Sequence, residues 1–194
     1  MKTLDFNPLK NARTYFSVLA LSGLLFTSCS DDDAPDPVNE EEVITTMTIT
    51  LVPQGGGDTV TLQSRDLDAD GPNPPVVEVS GPFTAGTTYN GSIVLLNETE
   101  TPPENITEEV EEEAEEHQFF FTVASSLSAS ISDENLDGAG NPLGTAFVFT
   151  AQGASTGTLT VTLRHDLKKP NDGTLSDAGG ETDIAQTFPL VIIP

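Results

Sequence analysis

Residues 157–165, Gly-Thr-Leu-Thr-Val-Thr-Leu-Arg-His, alternate strictly. Leu159, Val161, Leu163 and His165 fall on one side of an extended chain, and Thr158, Thr160, Thr162 and Arg164 on the other. A period of two marks a β-strand with one face on a core. The same texture recurs at 43–52, 58–65, 76–80, 88–96, 118–123, 126–132, 144–150 and 184–193, in Thr- and Val-rich runs bounded by Gly, Pro, Asn or Asp. Short strands at this spacing predict an all-β fold, a single immunoglobulin-like antiparallel β-sandwich over 43–194. A domain of about 150 residues can bury a sizeable core.

One segment breaks the pattern. Ile106, Val110 and Ala114 recur every four residues, and Asn105 with Glu108 has capping-box spacing, which predicts one short helix over 106–116. Its other face is acidic: Glu108, Glu109, Glu111, Glu112, Glu113, Glu115 and Glu116. Like charges four residues apart cost roughly 0.2–0.5 kcal/mol each, and glutamates at a helix C-terminus oppose its dipole. The helix is expected to be locally weak, and its glutamates are candidates for binding a cation or a basic partner.

The whole chain of 194 residues carries 7 Lys and Arg against 31 Asp and Glu, a formal net charge of −24. Such a polyanion repels a phosphate backbone, which argues against nucleic acid as a partner. A single cysteine makes neither an internal disulfide nor a cysteine-based zinc site. The one Gly-x-Ser-x-Gly stretch, Gly153 to Gly157, runs into a strand segment and not into the helix a nucleophile elbow needs, and carboxylates are too many for a glycosidase pair to stand out. The expectation is a protein that is not an enzyme.

Two loops have calcium-ligand spacing. Asp66, Asp68 and Asp70 precede Gly71, and Asp133, Asn135 and Asp137 precede Gly138. Alternate oxygens followed by Gly suit a hard cation, here Ca²⁺. The twelfth position, where an EF-hand supplies a bidentate Glu, is Val77 in one loop and Gly144 in the other. Any site would borrow a carboxylate such as Glu78, Glu181 or Asp183; the alternative is a pair of Asp/Gly turns. The two histidines, His117 and His165, share parity with core-facing residues at strand ends. Both are expected near the rim of one core, where a two-histidine transition-metal site with Glu116 or Asp183 is conceivable.

At the N-terminus, Lys2, Lys10 and Arg13 precede an apolar run over 15–26, too short to span a bilayer and suited to a signal peptide. Thr27, Ser28 and then the lone Cys29 follow. Residues 1–29 resemble a bacterial lipoprotein signal, with Phe26 where the family usually has Leu. The resemblance implies cleavage after residue 28 and lipidation of Cys29. Next come Ser30, Asp31, Asp32 and Asp33, which resemble the surface-export signal of Bacteroidetes lipoproteins and imply the outer face of the outer membrane. Residues 29–42 are acidic and hold two prolines, a composition that stays extended as a tether.

Segments 89–97, 105–121, 137–144, 163–165 and 180–183 are similar to a family of small Bacteroidetes surface lipoproteins. That resemblance implies a β-rich accessory protein, in some cases found with TonB-dependent outer-membrane transporters, and supplies no catalytic residues. The leading expectation is a cell-surface lipoprotein acting as an accessory binding module for a ligand, a cation or a transporter. The alternatives are a structural or adhesive module stiffened by calcium, and a metal-capture protein for uptake.

Overall fold

The computed structural model describes residues 42–68 and 71–194. They build ten strands and two short helices: β1 (Thr46–Pro53), β2 (Val60–Arg65), β3 (Val76–Val79), β4 (Phe83–Thr84), β5 (Thr87–Leu96), α1 (Ile106–Glu112), β6 (Gln118–Val123), β7 (Ala129–Ser132), β8 (Ala146–Ala151), β9 (Ser155–His165), α2 (Leu175–Ala178) and β10 (Glu181–Ile193). One sheet has the order β3-β2-β1-β5-β8-β7, the other β4-β10-β9-β6. Every pairing is antiparallel except that of β4 with the end of β10. The expected all-β sandwich with a short acidic helix is the fold. Its sheets hold six and four strands, against four and three in an immunoglobulin constant domain.

Alternation is what drives the two sheets together. Met47, Ile49 and Leu51 of β1 point inward, as do Tyr89, Ile93 and Leu95 of β5 and Phe147 and Phe149 of β8. They meet Phe119 of β6, Leu159, Val161 and Leu163 of β9, and Phe188, Leu190 and Ile192 of β10 in one continuous core. Gly91 interrupts β5 because the Phe147 ring lies over it; a Cβ there would sit 2.5 Å from that ring.

Strand β6 is covered on both faces. Phe119 enters the main core, while Phe120 packs beneath the β9–β10 connection against Leu167, Leu175 and Ala178. That connection carries α2, an element with no apolar period of its own. Between Thr182 and Ile184 the β9–β10 register slips by one residue, so Asp183 is the extra residue of a β-bulge. Bulges re-aim side chains, and this one lies next to His165.

Helix α1 has the expected inner stripe: Ile106 and Val110 are buried and Ala114 packs against the core. Two details correct the sequence reading. The helix stops at Glu112 rather than 116, with 113–116 forming turns, as repulsion among glutamates and an unfavourable dipole would favour. Asn105 makes no capping bond to the backbone; its Nδ2 donates to Glu108 Oε1 at 2.9 Å. The helix is pinned instead by Thr107, whose buried Oγ1 accepts from the Leu95 amide at 2.7 Å. Thr107→Val leaves that amide without its partner, and denaturant unfolding is expected to show a loss of about 1 kcal/mol.

Candidate functional site

Strand pairing places the two histidines side by side. Gln118 pairs with Arg164 and Phe119 with Leu163, so His117 and His165 lie one step beyond the last β6–β9 pair. Both are buried, with ring centroids 6.1 Å apart. This is the shared rim that their parity predicted.

Each imidazole is held through Nδ1. His117 Nδ1 lies 3.2 Å from the Glu113 carbonyl oxygen. A carbonyl only accepts, so Nδ1 carries the hydrogen, and the tautomer this selects has its lone pair on Nε2. That Nε2 faces Glu42 Oε1 at 3.6 Å. His165 Nδ1 is bonded to Asp183 Oδ1, and its Nε2 lies 3.9 Å from Glu181 Oε2. The Asp183 side chain is 1% exposed.

Glu42 joins this rim to a cavity of about 290 Å³, lined in part by Glu42, Thr45, Ser64, Asp66, Asp183 and Gln186. Its Oε2 is buried and has no hydrogen-bond partner. Burial, then the charges of Asp183, Glu109 and Glu113, push its pKa from 4.5 up to about 7, against a smaller opposing pull from His165. Desolvation alone would lower the pKa of His165, but the bond to Asp183 and the charges of Asp183, Asp166 and Glu181 outweigh it and raise it. The rim therefore holds more negative charge than its own cations balance. Among the described residues, Glu42, Glu113 and His117 bring one ligand atom each within 4.8 Å of one another.

The sequence placed Glu42 with the tether and Glu113 on a partner-binding face. Nothing local marks Glu42. Glu113 does carry a signal, since it stands four residues before His117, one helical turn. Of the proposed third ligands, Asp183 reaches His165, whereas Glu116 is exposed and outside the cluster.

The Asp loops look different. Asp137 is buried, and its Oδ1 accepts from the amides of Ala139 at 3.0 Å and Asn141 at 2.8 Å. Its Oδ2 takes Lys169 Nζ at 3.2 Å. Burial would raise the Asp137 pKa, but Asn141 and Lys169 outweigh it and hold it below the ordinary range. Asn135 Oδ1 accepts from the amides of Gly144 and Ala146, and Asp133 accepts from Ser132. These three residues serve three separate sets of partners, and a lysine ammonium lies against the Asp137 carboxylate.

In the first loop, Asp68 Oδ2 accepts from Asn73 Nδ2 at 2.6 Å, and the Gly71 amide closes a turn on the Asp68 carbonyl. Hydrogen bonds from Asn73 and then Asp66 lower the Asp68 pKa. Asp66 lines the rim cavity. Asp70 lies outside the described residues, as do Cys29, Ser30, Asp31, Asp32 and Asp33.

Glu108, Glu109, Glu111, Glu112, Glu113, Glu115 and Glu116 are all exposed. Glu111 accepts from Thr145 Oγ1 at 2.9 Å, and Glu108 is engaged with Asn105. Among the described residues no helix is long and apolar enough to cross a membrane. Comparison with protein-family models, curated proteins and solved structures finds no match to this chain.

Proposed function

We propose that the chain is a non-enzymatic lipoprotein tethered to the outer face of the outer membrane through Cys29, and that its folded domain is a binding module taking a cation at the histidine rim. The observation that carries this reading is Glu42: a carboxylate pushed up to about 7, with one oxygen buried and unpartnered, among Glu109, Glu113 and Asp183. A site that holds surplus negative charge out of water is stabilised by a bound cation.

The reading also accommodates service to an outer-membrane transporter. A module that takes up a cation at the surface has to release it to something that carries it inward. The exposed glutamates of α1 give such a partner an acidic face to approach with basic residues, in an association that weakens with salt.

Residues 40–194 form one compact unit containing the whole core, which suits a direct test. After exhaustive chelation, addition of Zn²⁺, Ca²⁺ or Mg²⁺ is expected to raise the melting temperature with at least one ion. A ligand at a hundred times its Kd adds about 2.7 kcal/mol. The gain should shrink in Glu42→Gln, which keeps the shape and removes the charge. If no ion shifts the transition, the binding reading is wrong.

A further inference from the structure

We infer that Glu42, Glu113 and His117 are the protein ligands of a divalent transition-metal ion of the zinc class. The inference rests on the cation-binding reading above and names the ion, its ligands and the kind of site.

His117 fits the part of a ligand whose orientation is already set. Its Nδ1 hydrogen goes to the Glu113 carbonyl oxygen at 3.2 Å. Metal-bound histidines commonly give their other nitrogen to just such a carbonyl or carboxylate, which fixes the ring and the tautomer. The remaining Nε2 lone pair then faces a carboxylate oxygen, Glu42 Oε1, at 3.6 Å. Two acceptors pointed at each other inside a protein repel unless a proton or a metal cation lies between them, and a metal ion can take the proton's place. Tetrahedral zinc, with bonds of about 2.0–2.2 Å, sets neighbouring ligand atoms about 3.3 Å apart. The 3.6 Å separation is close to that value, and Glu113 completes a trio within 4.8 Å.

The donor set decides which cation. Calcium and magnesium take oxygen ligands, whereas an imidazole nitrogen with two carboxylates suits zinc and its neighbours. The number of ligands decides the kind of site. Structural zinc is closed by four protein ligands, often cysteines; three leave a position open. His117 is 3% exposed and Glu113 lies on the surface, so the trio reaches from the buried rim to solvent. Such an ion can be loaded and given up, which fits capture for transfer better than a permanent staple.

The test is Zn²⁺ binding to chelated residues 40–194 by calorimetry, with Ca²⁺ and Mg²⁺ in parallel, and the visible spectrum of Co²⁺ as a report on coordination. One Zn²⁺ per chain is expected, with no competition from equal Ca²⁺ or Mg²⁺. His117→Gln should abolish the tetrahedral Co²⁺ band, and Glu113→Gln, which removes a ligand and not merely a ligand's support, should weaken Zn²⁺ binding by at least about 10-fold. His117 is packed and its replacement can disturb folding. Glu113 is exposed, and its variant keeps the assignment testable with an unchanged circular dichroism spectrum. Unaltered Zn²⁺ affinity in Glu113→Gln overturns the assignment. Binding of Ca²⁺ or Mg²⁺ as strong as that of Zn²⁺ and indifferent to His117 leaves the cation reading standing and removes the metal named here. Binding of no ion removes both.

Discussion

Lys169→Met is expected to destabilise the folded domain by about 3–5 kcal/mol, the cost typical of stripping one partner from a buried ion pair. The Lys169 side chain is 5% exposed and that of Asp137 is 0% exposed. Lys169 Nζ reaches Asp137 Oδ2 at 3.2 Å and the Ala114 carbonyl oxygen, just beyond the end of α1, at 2.7 Å. Desolvation lowers the Lys169 pKa more than Asp137 and Glu115 raise it, so the ammonium is held at a cost that only its partners offset. Removing it leaves a buried carboxylate with its backbone amides but no counter-ion, and the acidic end of α1 without its cation. One ammonium ties together α1, the 133–141 loop and the β9–β10 connection. Urea unfolding at pH 7 reads the loss. The neighbouring Lys168 supplies the contrast, because it pairs with Asp177 in the open, with side chains 60% and 35% exposed. Lys168→Met should cost less than about 1 kcal/mol. Similar losses for the two lysines would refute the assignment of Lys169 as a buried pin.

Those two lysines show where sequence reading stops. They are adjacent, chemically identical and in a loop without periodicity, and only tertiary packing separates them. Periodicity, by contrast, is a local signal that burial obeys. Each of the nine segments read as strands overlaps one, and 118–123 has the bounds of β6. What escaped was β4, whose two residues are too few to show a period, and α2, a single turn held by Thr174 Oγ1 accepting from the Asp177 amide. The rim was half legible. Parity puts His117 and His165 on core-facing positions, and antiparallel pairing of β6 with β9 brings them together. Asp183 was named as a possible ligand, but its approach to His165 depends on a bulge that no residue type announces. Glu42 was unreadable because its composition belongs to the tether while its contacts belong to the rim. The Asp-x-Asn-x-Asp-Gly pattern of the second loop is likewise silent about the partners its oxygens find. It describes a turn that can offer oxygens to a cation, and here Lys169 and backbone amides take them for Asp137.

The rim also sets how stability depends on pH. In the chelated domain, stability should decline as pH rises from about 5 to about 8, the reverse of the usual behaviour of an ionised carboxylate in a folded protein. The sign follows from two groups. Glu42 titrates at about 7 when folded against 4.5 ordinarily, so between those values the folded state keeps a proton that the unfolded chain releases. A shift of that size corresponds to about 3 kcal/mol in full, and partial solvent access reduces the expected effect to about 2 kcal/mol. His165, raised by Asp183, Asp166 and Glu181 against desolvation, adds a slope of the same sign. Its stabilisation is complete below about 6.5 and fades as pH passes its folded value. On the acid side the slope reverses. Glu98 is held at about 2 by bonds from Arg65 and Thr46, and Asp177 is lowered chiefly by Lys168. Both lose their contribution as pH falls below about 4.5, which places the maximum near about pH 5. Glu42→Gln should flatten the alkaline limb and leave the acid limb in place. Zn²⁺ should reverse the alkaline limb, because an ion that displaces protons binds more tightly as pH rises. A chelated domain whose stability climbs from pH 5 to 8 would show that the rim carboxylates are not burdened as described, and the case for a cation there would lose its electrostatic basis.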